Sequence, residues 1–112
     1  MWQKVCKKKD IPLNSGACVK IDNLQIAIFC MENGDSWYAV QNQCPHQRQM
    51  VLSRGITGDR DGEPKITCPL HKNSFSLKNG KHLGGHEEWN IKTYGVLVEG
   101  DDIYLNMTDG AL

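Results

Sequence analysis

The stretch IKTYGVLVEGDDIYL, residues 91–105, decides the fold class. Residues 91–98 are rich in β-branched and aromatic side chains, which favour strands. The triplet GDD at residues 100–102 is typical of a turn, and residues 103–105 return as a second strand. The stretch therefore predicts an antiparallel β-hairpin near the end of the chain.

Short β-type segments recur in the rest of the sequence, separated by turn signals such as DN at 22–23 and NG at 79–80. The other predicted strands are residues 17–21, 24–29, 37–40, 65–67 and 75–77. No window of about a dozen residues shows a helical repeat with caps. We predict an all-β fold, an antiparallel sandwich or barrel of about eight to ten short strands.

The length and charge of the chain indicate how many domains it has and which partners it lacks. We predict a single domain over residues 1–112 with a flexible tail at roughly 107–112, because 112 residues suit one domain. Thirteen basic and thirteen acidic residues cancel, which argues against a nucleic-acid partner. No run of about 18 apolar residues and no apolar signal core are present, so we expect no membrane partner and a cytoplasmic location.

The five cysteines agree with a reducing compartment, because an odd and widely spaced set is a poor disulfide framework. Cys6, Cys18 and Cys30 lie in or beside predicted strands, and we expect them to be buried, unreactive thiols. The remaining two cysteines belong to a different pattern.

Cys44 and Cys68 open two similar segments, CPH at 44–46 and CPLH at 68–71. Each segment follows a predicted strand, supplies one thiol and one imidazole, and has Pro directly after Cys, which fixes the local backbone. The first segment opens a predicted loop over residues 42–64, and long loops on compact β domains are usually functional. The predicted site residues are Cys44, His46, Cys68 and His71.

Two thiolates and two imidazoles have more than one possible use. They could hold one zinc ion tetrahedrally, although zinc sites usually separate their first two ligands by two to four residues and Cys44 and His46 are separated by one. Alternating residues of an extended loop point apart, which suits a wider object such as a [2Fe–2S] cluster. Two core thiols and two surface imidazoles without a metal are the third interpretation.

Histidine ligands would change the redox behaviour of such a cluster. With four thiolates an oxidised [2Fe–2S] cluster is formally a dianion, whereas two thiolates and two neutral imidazoles leave it formally neutral. Adding an electron to a neutral centre costs less. The potential therefore rises from about −400 mV to between about −150 and about +300 mV.

The spacing of these four residues closely resembles that of the Rieske [2Fe–2S] family. The resemblance implies that Cys44 and Cys68 bind one iron of a single cluster, and that His46 and His71 bind the other. It also implies a Rieske-like antiparallel β sandwich or barrel with two cluster-binding loops at one end.

Within that family, VLSRGI at 51–56 followed by CPLHKNSFSL at 68–77 resembles the small subunit of NAD(P)H-dependent assimilatory nitrite reductase. The resemblance extends to residues 2–12 and 94–105. It implies a non-catalytic electron-transfer subunit with no substrate site of its own. Its partner would be a large subunit that carries flavin and sirohaem and reduces nitrite to ammonium. The alternative partner is another redox protein, with the chain acting as the ferredoxin component of an aromatic-ring dioxygenase.

Side chains near the two segments have competing interpretations. His82 and His86 flank two glycines and are predicted to be solvated loop histidines that do not share a face. Arg48 and Lys72 are either surface charges or groups that steer an acidic partner. The apolar side chains that either shield the cluster or form a docking rim are Met50, Val51, Leu52 and Leu70.

Overall fold

The computed structural model describes residues 2–46, 48–70 and 72–107. These residues form ten strands joined by turns and four one-turn 3₁₀ helices. The strands are β1 (Trp2–Lys7), β2 (Ser15–Ile21), β3 (Leu24–Met31), β4 (Ser36–Gln41), β5 (Ile56–Arg60), β6 (Glu63–Thr67), β7 (Ser74–Ser76), β8 (Thr93–Tyr94), β9 (Val96–Glu99) and β10 (Asp102–Asn106). The 3₁₀ helices are Lys8–Asp10, Glu32–Gly34, Leu52–Arg54 and Glu87–Trp89.

The strands assemble into three antiparallel sheets, so the predicted all-β fold is confirmed. The strand orders are β1-β10-β9, β2-β3-β4-β8 and β5-β6-β7. Within the described ranges, no helix is long and apolar enough to cross a membrane.

Strand β3 is the centre of the molecule because both of its faces are buried. Successive side chains of a strand point to opposite faces. Ile26, Ile28 and Cys30 therefore enter one hydrophobic cluster, while Ala27 and Phe29 enter another. A strand that is buried on both faces has a continuous apolar sequence, and IAIF at 26–29 is such a sequence.

The two clusters lie on opposite faces of β3 and have different roles. The outer core, on the face toward β10, includes Ile26, Ile103 and Leu105. The loop core, on the other face, is completed by residues from β6, β7 and the connecting loops. Its buried members are Ala27, Phe29, Val40, Cys44, Leu52, Ile66, Cys68, Phe75, Leu77 and Ile91.

The stretch 91–105 forms the predicted hairpin, but its first half is not one strand. Strand β8 pairs with β4, whereas β9 pairs with β10, so the chain changes sheets at Gly95. The Gly95 carbonyl accepts a hydrogen bond from the Asn106 N–H at 2.9 Å. The stretch thus links two sheets instead of extending one of them.

Two strands are absent from the prediction. Strand β1 pairs with β10, and β5 lies inside the loop predicted over residues 42–64, where it pairs with β6. The sequence of β5, ITGDR, has few strand-forming residues, and Ile56 is 69% exposed. Pairing with β6 rather than intrinsic propensity therefore accounts for this strand. Of the predicted flexible tail, residues 108–112 lie outside the described residues.

Candidate metal centre

The first loop begins at Cys44, three residues beyond the end of β4. The Cys44 N–H donates a hydrogen bond to the Gln49 carbonyl at 2.8 Å, and the Arg48 N–H donates to the Cys44 carbonyl at 2.6 Å. Arg48 adopts a φ of 58°, a left-handed conformation that closes the turn. Both backbone groups of Cys44 are thus used to fold the loop around it.

The second loop repeats this pattern around Cys68, directly after β6. The Cys68 N–H donates to the Asn73 carbonyl at 2.7 Å, and the Lys72 N–H donates to the Cys68 carbonyl at 3.0 Å. Lys72 has a φ of 59°. In both loops the cysteine N–H therefore bonds the carbonyl five residues on, and its carbonyl bonds the N–H four residues on.

The two turns bring both thiols into the loop core, where Cys44 and Cys68 are each 0% exposed. His46 is partly buried, and its ring lies 4.7 Å from the Trp89 ring in an edge-to-face contact. His71, the fourth predicted site residue, lies outside the described residues. The structure thus places two predicted residues in one core and His46 against Trp89, a side chain packed on that core.

The zinc alternative gains no support from the described part of the chain. There, no three His, Cys, Asp or Glu side chains are grouped as a site for one metal ion.

A buried amide anchors the first loop to the sheet. Asn42 is 2% exposed, and its side chain donates to the Gln25 Oε1 atom at 3.1 Å and accepts the Ser53 N–H at 2.7 Å. Its backbone carbonyl accepts the Leu52 N–H at 3.0 Å. Asn42 is not among the predicted site residues, although a polar residue at a strand end two positions before Cys44 was an available signal.

Gly55, the last residue of the LSRG motif, lies where the structure has no room for a side chain. A Cβ atom on Gly55 would lie 2.4 Å from the Thr67 carbonyl oxygen and 2.8 Å from the Ile66 Cδ1 atom. A side chain at this position would therefore displace the backbone of β6 immediately before Cys68. The glycine lets the 3₁₀ turn that carries Leu52 pack directly on that strand.

A third loop, residues 82–91, covers the first two. His82 is 8% exposed, and its Nε2 atom lies 3.0 Å from the Asn73 Oδ1 atom in the second loop. Its ring packs edge-to-face on Phe75 and on Trp89. Burial lowers the pKa of the His82 imidazole, and the neighbouring His86 lowers it further.

The prediction that both loop histidines are solvated is wrong for His82 and correct for His86, which is exposed. The two rings are also in contact, with centroids 5.2 Å apart. The reason is the loop backbone, because the residues between them turn the chain back. The N–H groups of Gly84 and His86 both donate to the His82 Nδ1 atom.

The four apolar side chains near the loops were predicted either to shield the cluster or to form a docking rim, and the structure divides them into two buried or partly buried and two exposed residues. Leu52 is fully buried and Val51 packs on the loop core, so these two shield the site. Met50 and Leu70 are 44% and 48% exposed, which places them on the surface of the two loops.

The prediction that the other three cysteines are buried is only partly correct. Cys30 is buried and Cys6 is half-buried, but Cys18 is exposed because it lies on β2, an edge strand. Desolvation raises the pKa of each of these thiols. A raised pKa disfavours the thiolate, the form in which cysteine binds metals.

The structure is an antiparallel β domain in which two matched turns bury one cysteine each, and comparison with known proteins gives its family. The sequence model of the Rieske-like [2Fe-2S] domain matches residues 1–106. The chain therefore belongs to the Rieske-like [2Fe-2S] domain family, whose cofactor is a Rieske-type [2Fe–2S] cluster.

Within the family, the chain is similar to nitrite reductase small subunits. It is 34% identical over 98 residues to "Nitrite reductase (NADH) small subunit" of Salmonella typhimurium, covering 88% of this chain and 90% of that protein. The structure of the E. coli protein NirD matches with a TM-score of 0.83 and 31% identity, covering 94% of each chain. Ferredoxin subunits of dioxygenases are also among its relatives.

A second kind of relative is much longer. The chain is 35% identical over 104 residues to "Nitrite reductase [NAD(P)H] large subunit" of Klebsiella oxytoca. The match covers 93% of this chain but 11% of that protein. The chain thus spans about a tenth of the length of this relative.

The lowered pKa of His82 predicts a specific acid destabilisation. Below its ordinary pKa of 6.5 the unfolded chain binds a proton at His82 that the folded protein does not. The stability due to neutral His82 is therefore complete above about pH 6.5 and is lost as the pH falls through the folded-state pKa. When the pH is lowered from about 7.5 to about 5.5, the free energy of unfolding measured in urea should fall less for His82→Gln than for the unmodified protein.

The exposed His86 provides a graded comparison. His86→Gln removes the smaller cause of the lowered pKa and leaves His82 buried, so it should reduce the pH dependence less than His82→Gln does in the same urea titrations. An equal loss of stability in His82→Gln and the unmodified protein across this pH range would contradict the assignment.

Proposed function

We propose that Cys44, His46, Cys68 and His71 hold one [2Fe–2S] cluster, with the two thiolates on one iron and the two imidazoles on the other. The observation that carries this proposal is the matched pair of turns. Each turn buries one cysteine in the same core by the same two backbone hydrogen bonds. Membership of the Rieske-like family indicates that the group between the two loops would be a [2Fe–2S] cluster.

The chemistry of the donors fits this group. Thiolates are the soft ligands that iron–sulfur clusters require, and imidazole is a common ligand of iron. Cys44 and Cys68 are buried among apolar side chains, which keeps water away from the sulfur atoms. The carbonyl and N–H of each cysteine are already bonded within its turn, so the backbone fixes where each thiolate is presented.

We propose that the chain is an electron-transfer subunit. When bound, the cluster takes up and releases single electrons. His46 is only partly buried and lies in the same loop as the exposed Met50, so one ligand side chain is close to the protein surface. The chain itself would bind no nitrite and would act as one non-catalytic unit, residues 1–112, of an oxidoreductase.

We further propose that the partner is a large nitrite reductase subunit that carries flavin and sirohaem and produces ammonium in nitrate assimilation, in the cytoplasm. Two observations support this partner. Relatives of the same length are named small subunits of nitrite reductase. The chain also matches a tenth of proteins named for the whole reductase or its large subunit, as expected if the two parts work together.

A second candidate is the ferredoxin component of a dioxygenase. The ferredoxin subunit of a 3-phenylpropionate/cinnamic acid dioxygenase from Shigella flexneri favours it, because it is 34% identical over 105 residues. Both candidates use the same cluster, so only the partner distinguishes them.

The ligand assignment predicts which side chains the cluster needs. Cys44→Ser and His71→Ala should each abolish the visible absorption of the cluster and leave almost no bound iron, because a missing ligand exposes one iron to water. Iron content per chain and the visible spectrum of anaerobically purified protein measure this result. His46→Ala should behave in the same way.

The chain contains matched controls for both residue types. Cys18→Ser removes an exposed thiol and His86→Ala an exposed imidazole, and both variants should retain the cluster. Cluster loss in either control, or iron retention in Cys44→Ser, would show that the ligand set is different. Colourless wild-type protein containing zinc and no iron would overturn the redox function altogether.

The partner can be identified by capture under native conditions. We expect the tagged chain to co-purify with a protein whose spectrum shows sirohaem, and the Cys44→Ser variant tests whether the cluster is needed for that association. Recovery of a terminal oxygenase instead of a sirohaem protein would reject the nitrite reductase partner and favour the dioxygenase system.

A further inference from the structure

His82 is a buried histidine that the proposed ligand set does not use. It opens the third loop, where it forms a β-bridge with Phe75, and its ring is enclosed on several sides. The hydrogen bonds of the ring determine which of its nitrogens carries the proton.

The Nδ1 atom of His82 accepts two hydrogen bonds, from the N–H of Gly84 at 3.1 Å and from the N–H of His86 at 3.3 Å. Because both partners are donors, Nδ1 must present its lone pair. The neutral ring therefore carries its proton on Nε2. Nε2 lies 3.0 Å from the Asn73 Oδ1 atom, so His82 donates a hydrogen bond to that oxygen.

This bond fixes the amide of Asn73. With Oδ1 held by His82, the orientation of the amide is determined, because its other end is the NH₂ group. The backbone carbonyl of the same Asn73 accepts the N–H of Cys68 at 2.7 Å. His82 therefore holds the side chain of the residue whose backbone closes the turn around Cys68.

The third loop is built tightly against the His82 ring. A Cβ atom on Gly84 would lie 2.6 Å from the ring Cε1 atom and 3.1 Å from Nδ1. Any side chain at position 84 would push the ring out of place. The absence of a side chain there lets the backbone N–H groups reach the ring nitrogen.

The ring also reaches the first loop through an aromatic neighbour. His82 and Trp89 are 5.3 Å apart between ring centroids, and Trp89 in turn lies 4.7 Å from the ring of His46. His82 thus has a hydrogen-bonded route to the Cys68 loop and a packing route to the Cys44 loop.

We propose that His82 is a positioning residue for the metal centre, which acts by holding the Asn73 amide with its Nε2–H. This proposal rests on the proposed function, because it concerns how the two ligand loops are held around the cluster. Groups that hold the surroundings of metal ligands in place affect both metal retention and redox potential.

Two variants separate the Asn73 bond from a merely structural role. In His82→Gln the side-chain amide nitrogen can replace Nε2 as the donor to Asn73. In His82→Asn the shorter side chain can replace only Nδ1 as the acceptor of the loop N–H groups. Each variant therefore keeps one half of the hydrogen bonding of histidine.

The experiment measures iron loss to a chelator and the midpoint potential of the cluster in the purified, iron-containing protein, with thermal unfolding as the stability control. We expect His82→Asn to lose iron about tenfold faster than the wild type and to have a lower midpoint potential. His82→Gln should remain close to the wild type in both measurements.

The opposite order, with His82→Asn normal and His82→Gln altered, would overturn the proposal. So would lowered thermal stability in both variants with unchanged iron loss and potential, because that result describes a purely structural residue. Wild-type protein that binds no iron would instead contradict the proposed function, and this failure is recognised before any variant is compared.

Asn73→Ala tests the same bond from its other end and keeps the experiment decisive if a His82 variant does not fold. It should reproduce the potential shift of His82→Asn, and combining the two substitutions should add no further shift. Fully additive shifts would show that the two side chains act independently and would contradict the proposal.

Discussion

The backbone bonds of Cys44 and Cys68 are the constraint on which the proposed cluster site depends. In each turn the cysteine N–H and carbonyl are both satisfied within the loop, so the residue can be buried without leaving a polar backbone group unpaired. The turns require left-handed backbone at Arg48 and Lys72, which costs about 1 kcal/mol or more at each non-glycine residue. Surrounding contacts must outweigh that cost, and the third loop and Asn42 supply several of them.

Much of the fold could be predicted from local patterns. The hairpin of β2 and β3 and the hairpin of β9 and β10 follow from short β-rich runs with strong turn signals between them. Strands β1 and β5 could not be predicted this way, because their pairing partners, rather than their own propensities, make them strands. The change of sheet at Gly95 likewise depends on β4 and β10, which are distant from it in sequence.

Residue type and spacing predict four site residues, and the structure brings two of them, Cys44 and Cys68, into one core. The side chains that support them could not be predicted in this way. The exposure of Cys18 follows from the edge position of β2, and the burial of His82 follows from a loop that folds back over its ring. Both depend on how distant segments pack, so glycines beside a histidine suggested a solvated loop when they in fact allow a close contact.

The central claim is that two cysteines and two histidines from these loops bind one cluster. It is tested most directly by pulsed EPR of the reduced protein grown with ¹⁵N-labelled histidine. The account predicts coupling of the unpaired electron to two directly bound histidine nitrogens, and its loss together with the cluster in His46→Ala. A reduced cluster that shows no coupling to directly bound histidine nitrogens would contradict it.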